Sequence, residues 1–319
     1  MLMTFEEASK LIMDNKTLHI AGTEALLKKL PKGKWIGGST EYFMAKEGGK
    51  VSGEHLFVTE FSYEGSIKTY AASEIESVAA DAFDSGFSIV VVPFDSAVHI
   101  KYAQNAAGFK DMFLKNIVGW ISGVNLGIPG QTPIAVDGTA ASAYSDKAVA
   151  LHLKVPGDKT VSVNIVNIFA QNEFSPVITF EEEGFSATKC LIDGKETVLA
   201  DYIAQNKIDT KLPLVGDYAG NGINISFKSV ENGVVNFYAP VFRGIQYRIA
   251  KNIENYEKEF NSKLSEIKET NAAFSCNCIL NFLYGELEGK KIDAFSGPIT
   301  FGEIAYQLVN QTLVYVTVS

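Results

Sequence analysis

Apolar and polar residues follow two different periodicities along the chain, and the helical periodicity predicts five helices, one of them over Thr23–Leu30. The capping-box pattern Thr4-x-x-Glu7, followed by apolar residues at helical spacing, predicts a short first helix. Ser73-x-x-Glu76 predicts another by the same pattern, and Ser96 is placed to cap a helix that extends to Asn105. Apolar residues recur every three or four positions over 253–267, which predicts the longest amphipathic helix.

Strands are predicted where apolar residues alternate with polar ones or form short uninterrupted runs. Phe87–Phe94 is apolar except at Ser88 and predicts a strand covered on both faces. Lys147–Val155 and Val161–Ile165 alternate on either side of turn residues, which predicts a hairpin. Asp193-Gly194 and Asn232-Gly233 predict two more hairpins. Further strands are predicted at Lys34–Thr40, Phe57–Phe61, Ile117–Ser122, Ala273–Leu283 (bending into a helical turn) and Thr312–Val318.

Together these elements predict an α/β (α+β) protein of two related halves with mainly antiparallel β-sheets flanked by helices. Leu30–Phe61 and Leu212–Phe242 share the order of an apolar–Gly segment, a hairpin and a strand, which indicates an internal repeat. A chain of 319 residues has room for about two domains. No Pro/Gly/Ser-rich linker separates them, so we expect halves at residues 1–185 and 186–319 in one compact body.

Composition and charge exclude several kinds of partner. The 28 Lys and Arg residues against 37 Asp and Glu residues give a net charge of -9, without a basic stripe, so no nucleic-acid partner is expected. We expect no membrane insertion, because no run is apolar enough to cross a bilayer, and no signal peptide is apparent. The odd number of cysteines, 3, suits a reducing compartment, which predicts a cytoplasmic protein.

The short motifs of metal and nucleotide chemistry are missing from the sequence. It contains no H-E-x-x-H, no C-x-x-C, no G-x-x-x-x-G-K-[ST] and no strand–G-x-G-x-x-G–helix unit. Gly220-Asn221-Gly222 has two of the glycines of the last motif, but β-type residues follow it, so we predict a turn there. The sequence therefore predicts neither a cofactor nor a metal site.

A few residues remain as candidates for chemistry, each with a structural alternative. Trp35 and Trp120 lie in apolar segments with glycines beside them, where an indole either lines a pocket or packs in the core. Ser122 lies near glycines, but the spacing is not that of a nucleophile elbow. Cys276 and Cys278 share one face of a strand, either as reactive thiols or as small buried residues.

The last third of the chain contains Phe274-Ser275-Cys276-Asn277, then Phe295–Ile304 and then Asn310–Val314. Motifs in this order resemble the C-terminal part of FIST sensory domains. In that family a strand with F-[ST]-C precedes a turn ending in G-E-I and then a strand opened by N-x-T. Two further segments are similar to the family's glycine turns, although Asp217 follows Gly216 where the family has a second glycine. The matching segments are Phe274-Ser275-Cys276-Asn277, Phe295–Ile304, Asn310–Val314, Pro213–Asp217, Pro240–Gly244 and Trp35–Ser39.

The resemblance implies a small-molecule-binding sensory module of bacterial signalling, without catalysis, for amino-acid-like or other small anionic ligands. Arg243, one of two arginines in the chain, is expected either to clamp a ligand carboxylate or to form an ion pair at the surface of a hairpin. Glu303 is expected either to bind an ammonium group or to cap backbone amides in a tight turn. The expected ligand-binding residues are Arg243, Glu303, Asn277, Cys278, Gly216, Asp217, Trp35, Trp120 and Ser122.

Two alternatives of other classes stay open. One is a hydrolase or transferase that uses Ser122 or a thiol at Cys276 or Cys278. The other is a structural or partner-binding protein. Under the sensory hypothesis no output segment is apparent, so we expect a signalling partner protein or a homo-oligomer.

Overall fold

The protein is a mixed α/β protein in which strands predominate, as predicted from the sequence. The computed structural model describes residues 1–218, 221–267, 271–292 and 295–319, so the predicted turn at Gly220 lies outside the described residues. The helices are α1 (Phe5–Met13), α2 (Glu24–Leu27), α3 (Ala97–Asn105), α4 (Leu199–Gln205), α5 (Tyr256–Ser265) and α6 (Ile279–Tyr284).

The strands fall into five sheets. Those of the first half are β1 (Leu2–Met3), β2 (Thr17–Gly22), β3 (Trp35–Ser39), β4 (Tyr42–Ala45), β5 (Gly48–Val51), β6 (Leu56–Phe61), β7 (Glu64–Tyr70), β8 (Gly86–Pro93), β9 (Asn116–Ser122), β10 (Ala135–Asp137), β11 (Ser142–Tyr144), β12 (Ala148–Lys154) and β13 (Val161–Val166). Those that follow are β14 (Ile178–Thr179), β15 (Gly184–Ala187), β16 (Lys189–Ile192), β17 (Lys195–Val198), β18 (Leu214–Tyr218), β19 (Asn221–Ile225), β20 (Phe227–Glu231), β21 (Val234–Val241), β22 (Tyr247–Ile249), β23 (Ala272–Cys278), β24 (Gly297–Thr300), β25 (Glu303–Ala305), β26 (Gln307–Val309) and β27 (Leu313–Val318).

The chain divides into two units that are not simple sequence halves. Unit 1 comprises Met1–Val166, Asn261–Leu308 and Thr312–Ser319, and unit 2 comprises Asn167–Phe260 and Val309–Gln311. Position 185, where the sequence analysis places a boundary, lies within unit 2. The internal repeat stays a prediction.

Unit 1 is built on six-stranded sheets in the orders β1-β6-β2-β3-β10-β11, β26-β25-β9-β8-β12-β7 and β13-β27-β23-β24-β4-β5. Parallel pairs, β2 with β3, β8 with β9 and β23 with β24, occur within otherwise antiparallel sheets. Gly38 allows β3 to pack closely on the second of these sheets, because a Cβ there would lie 2.5 Å from Val91 and 2.8 Å from Trp120. The core under β2 and β3 consists of Ala8, Ile12, Leu18, Ile20, Leu27, Leu30, Trp35, Leu56, Val58, Ile134 and Val136.

Unit 2 contains a six-stranded sheet, β17-β16-β14-β22-β18-β19, and a three-stranded one, β15-β21-β20, with antiparallel neighbours. Two predicted hairpins are confirmed here. Asp193 and Gly194 connect β16 to β17 with φ of 47° and 80°, and Asn232 and Gly233 connect β20 to β21 with φ of 52° and 78°. Asn, Asp and Gly tolerate this left-handed backbone, which is the geometry of a tight hairpin turn.

Two of the predicted helix caps are confirmed. Thr4 Oγ1 accepts from the Glu7 amide at 3.2 Å, and the Glu7 carboxylate accepts from the Thr4 amide at 2.9 Å, so the capping box of α1 is complete. Ser96 Oγ accepts from the His99 amide at 3.2 Å and begins α3, which ends at Asn105 as predicted. Both caps depend on side chains within three residues, which makes them readable from sequence.

The helix predicted from Ser73 was wrong, and so was the mid-chain hairpin. The segment that follows Ser73 forms only a 3₁₀ turn at Ile75–Ser77, where the Ser77 hydroxyl donates to the Glu74 carbonyl at 2.8 Å. Such local side-chain bonds compete with helix propagation. The two predicted hairpin strands exist as β12 and β13, but β12 pairs with β7 and β8, and β13 pairs with β27.

Among the described residues, no helix is long and apolar enough to cross a membrane.

Candidate ligand-binding cavity

A cavity of about 380 Å³ opens in unit 1 where β2, β3 and β9 end. Because β2 and β3 run parallel, the segments that follow them leave the sheet at the same edge. The segment after β9 joins them from a second sheet. The cavity is lined by Thr23, Glu24, Ala25, Ser39, Thr40, Glu41, Gly53, Gly123, Val124, Asn125, Ile128, Gln131 and Thr132.

The walls of the cavity are held by buried hydrogen bonds. Ser39 Oγ donates to the Gly123 carbonyl at 2.7 Å and accepts from the Ile134 amide at 2.9 Å. The Gly123 amide donates back to the Ser39 carbonyl at 2.8 Å. Thr40 Oγ1 donates to the Ile299 carbonyl at 2.8 Å. These hydroxyl groups connect separate strands, so the cavity is formed before any ligand enters.

Gly123 is required by the packing of the same wall. A Cβ at this position would lie 1.9 Å from the ring of Phe301, which is 7% exposed. No side chain fits at that distance, because real Cβ contacts are above 3.0 Å.

Asn125 fixes the loop that closes one side of the cavity. Its amide donates to Gln131 Oε1 at 2.8 Å, and its own Oδ1 accepts from the Gly127 amide at 2.8 Å. The Leu126 amide donates to the hydroxyl of Tyr42 at 3.0 Å. The loop is therefore tied both to itself and to β4.

Glu41 places a nearly buried carboxylate in this cavity. The residue is 9% exposed, and its Oε2 accepts from Asn125 Nδ2 at 2.7 Å. Within residues 1–218, 221–267, 271–292 and 295–319, no Lys, Arg or His forms an ion pair with it. Glu24, the other acidic residue of the lining, is partly exposed and pairs with Lys28 at 2.5 Å. The cavity therefore carries one negative charge that the described protein does not balance.

A second buried polar cluster in unit 1 brings together Glu303, Asn277 and Cys278, three of the residues singled out in the sequence. Glu303 is fully buried on β25, and the thiol of Cys278 hydrogen-bonds to its carboxyl group. Its Oε1 lies 2.7 Å from Thr300 Oγ1, and its Oε2 accepts from Thr312 Oγ1 at 2.8 Å. Burial, only partly offset by these hydrogen bonds, raises the pKa of Glu303 to about 8.

The environment of this cluster is closed to solvent. Asn277 is 3% exposed, and its Oδ1 accepts from Asn281 Nδ2 at 2.8 Å. Cys276 and Cys278 are each 1% exposed, and Cys276 Sγ donates to the Gly119 carbonyl at 3.5 Å. Burial raises the pKa of the Cys276 thiol well above its usual value. A thiol nucleophile needs a lowered pKa and access, so the thiol form of the enzyme hypothesis gains no support here.

Trp35, Trp120 and Ser122 lie in the core of unit 1. The Trp35 indole donates to the Pro31 carbonyl at 2.9 Å, and the Trp120 indole donates to His19 Nε2 at 2.8 Å. Both rings are buried with their N–H groups satisfied. Ser122 is fully buried, and its Oγ lies 3.5 Å from the Val92 carbonyl. All three are outside the cavity lining, although Ser122 immediately precedes Gly123.

Arg243, Gly216 and Asp217 belong to unit 2. Arg243 is exposed, and its Nε donates to the Glu181 carbonyl at 2.8 Å. Gly216 faces the rings of Tyr218 and Tyr247, since a Cβ there would lie 2.7 Å from each. Asp217 is exposed on β18. In the structure, a backbone carbonyl group therefore accepts hydrogen bonds from the Arg243 side chain. That Arg243 binds a ligand carboxylate stays a prediction.

The lining of the cavity was missed in the sequence because its residue types are ordinary. Ser39-Thr40-Glu41 is a polar run directly after a glycine-containing strand, which is the one local signal it offers. The described residues contain no group of three or more His, Cys, Asp or Glu side chains able to hold a metal ion.

The fold and the cavity together define a mixed α/β protein with a pocket lined by both polar and apolar residues. The chain belongs to a family of unknown function, DUF6976, which it matches over residues 3–319. No curated protein and no solved structure matches it.

The resemblance to FIST sensory domains was therefore wrong. The matched family covers every segment on which that resemblance was based. Those segments are short strands and glycine turns, which recur in unrelated sheets and specify no family by themselves.

Proposed function

We propose that this protein binds a small polar molecule in the cavity at the ends of β2, β3 and β9. The observation that carries the proposal is a preformed cavity of about 380 Å³ with a nearly buried carboxylate in its wall. Small-molecule sites range from about 300 to 1,000 Å³. At about 30 Å³ for each water-sized group, the cavity has room for roughly a dozen such groups.

The lining supports binding better than covalent chemistry. The hydroxyls of Ser39 and Thr40 are engaged in bonds to backbone carbonyls, and neither has a histidine partner among the described hydrogen bonds. The sensory role was implied by the FIST resemblance alone and is not part of this proposal. A cytoplasmic location is part of it, supported by free thiols at Cys190, Cys276 and Cys278.

Gly53 gives a way to fill the cavity without disturbing its walls. A Cβ at Gly53 would lie 3.6 Å from Glu41 Oε2 and 3.9 Å from Thr23 Cγ2, which are ordinary contact distances. The Gly53→Ala variant therefore places a methyl group against the carboxylate. Gly108→Ala is the matched control, because a Cβ at Gly108 meets no atom within 4 Å.

The test is a thermal-shift screen of the purified chain against polar metabolites, followed by tryptophan fluorescence. Both tryptophans, Trp35 and Trp120, belong to unit 1, so the signal reports the unit that contains the cavity. A ligand at 100 times its Kd adds about 2.7 kcal/mol to the free energy of unfolding. We expect compounds that raise the melting temperature of the wild type and of Gly108→Ala, and that raise the melting temperature of Gly53→Ala less. Hits that Gly53→Ala leaves unchanged, or a screen without hits, would contradict the proposal.

A further inference from the structure

We propose that this cavity selects ligands that carry a positively charged amino group, and that Glu41 is the carboxylate that binds it. The inference rests on the proposed function and assigns its ligand class. It differs from the anionic ligand expected from the sequence, because the lining carries a negative charge, which repels an anion.

The two oxygens of Glu41 are used differently. Oε2 accepts from Asn125 Nδ2 at 2.7 Å, whereas Oε1 makes no hydrogen bond with any described residue. The side chain lines the cavity although only 9% of the residue is exposed. One carboxylate oxygen is therefore left for a donor that enters the cavity.

Burying a carboxylate without a compensating charge is unfavourable, because the ion loses much of its hydration. A neutral amide such as Asn125 replaces one hydrogen bond but supplies no positive charge. An ammonium group supplies both a donor and the missing charge, and charge-assisted hydrogen bonds are the stronger kind. A ligand amine in the cavity thus offers Glu41 Oε1 a charged donor in place of water.

The surroundings favour an amine over an anion or a metal ion. The lining contains no Lys, Arg or His among the described residues, so an anionic ligand finds no partner and meets a like charge. Glu24 is partly exposed and already paired with Lys28, which leaves Glu41 as the carboxylate of the lining without an ion pair among the described residues. Divalent cations such as Ca²⁺ take six to eight oxygen ligands. The remaining lining groups, Thr23, Gln131 and Thr132, suit hydroxyl groups on the same ligand.

The test uses matched pairs of compounds that differ in an amino group. D-glucosamine is compared with D-glucose, and 1,4-diaminobutane with 1,4-butanediol, with succinate as the anion. Kd values are measured by isothermal titration calorimetry at pH 6.5, up to 10 mM ligand, on the wild type and on Glu41→Gln. Glutamine keeps an oxygen that accepts from Asn125, so the variant loses the charge and not the hydrogen bond. Glu76→Gln, at an exposed position of the same unit, is the control.

We expect at least one amine to bind the wild type ten-fold or more tightly than its alcohol partner. Glu41→Gln should abolish this preference, while Glu76→Gln retains it. The inference would be overturned if a folded Glu41→Gln variant kept the preference for the amine, or if Glu24→Gln lost it instead. It would also be overturned if no amine bound. The broad thermal-shift screen separates the two proposals. If it finds neutral or anionic ligands whose binding is weakened by Gly53→Ala, the inference about amines is overturned and the proposed function stands.

Discussion

The buried carboxyl group of Glu303 should make the free energy of unfolding fall as the pH rises. When its carboxyl group is protonated, the O–H can donate to Thr300 Oγ1, 2.7 Å away, and Thr300 can pass its own hydrogen to the Asn277 carbonyl at 3.2 Å. Oε2 still accepts from Thr312. The neutral acid therefore satisfies its hydrogen bonds in the folded protein, which agrees with a pKa raised to about 8 by burial.

The magnitude follows from the difference between the folded and unfolded pKa values. The unfolded carboxyl titrates near 4.5, so between pH 4.5 and about 8 the folded protein holds a proton that the unfolded chain releases. Stability from this group is complete below pH 4.5 and is lost as the pH rises through 8. A separation of about 3.5 pKa units is worth about 5 kcal/mol, of which about 4 kcal/mol falls between pH 5 and pH 9.

The Glu303→Gln variant isolates this contribution, because an amide can donate to Thr300 and accept from Thr312 but cannot ionise. Urea unfolding of unit 1, monitored by tryptophan fluorescence at pH 5 to 9, should show the wild type losing about 4 kcal/mol more than the variant. Taking the difference removes the titration of other groups, such as His152. Glu76→Gln, at an exposed position, is the control and should follow the wild type.

Parallel pH profiles of the wild type and Glu303→Gln would refute this reasoning. A wild type that gains stability relative to the variant as the pH rises would show that the buried carboxyl is ionised and stabilised by its donors.

Three further predictions concern other buried groups of unit 1. Tyr70→Phe removes the hydroxyl that lies 2.9 Å from Nε2 of buried His152 and donates to Asp81 Oδ2 at 3.1 Å, and urea unfolding should show the free energy of unfolding falling by about 1–3 kcal/mol; an unchanged midpoint would contradict the role of these two bonds. Cys276 and Cys278 should react with a thiol reagent only after unfolding, since both are 1% exposed. Rapid labelling of the folded protein would instead revive the hypothesis of a thiol enzyme. Gly123→Ala should lower stability by about 1–3 kcal/mol, because its methyl group would overlap a phenylalanine ring at 1.9 Å. An unchanged melting temperature would contradict that packing.

The elements that depend on near neighbours were predictable from the sequence. The caps at Thr4 and Ser96 and the turns at Asp193-Gly194 and Asn232-Gly233 involve residues within three positions of each other. Their side chains and backbone angles settle the local structure before any distant contact forms. The failure at Ser73 shows the limit, because a capping pattern cannot exclude competing local bonds.

Strand partners were not predictable in the same way. β12 and β13 are adjacent in the sequence and separated by good turn residues, yet β13 pairs with β27 near the end of the chain. Alternation identifies which face of a strand is buried and says nothing about which strand lies beside it. The choice depends on distant contacts that one sequence does not display.

The candidate site depends on the same distant contacts. The rarity of a residue type in the sequence therefore did not point to it. Arg243 attracted attention as one of two arginines, and in the structure its guanidinium donates to a neighbouring backbone carbonyl. Glu41 is one of 37 acidic residues and looks like any other in the sequence. Its chemistry comes from burial between strands of different sheets and from the lack of an ion pair within the described residues. The binding role proposed for Glu41 depends on what surrounds its carboxylate, so only the folded arrangement distinguishes it from a solvated glutamate.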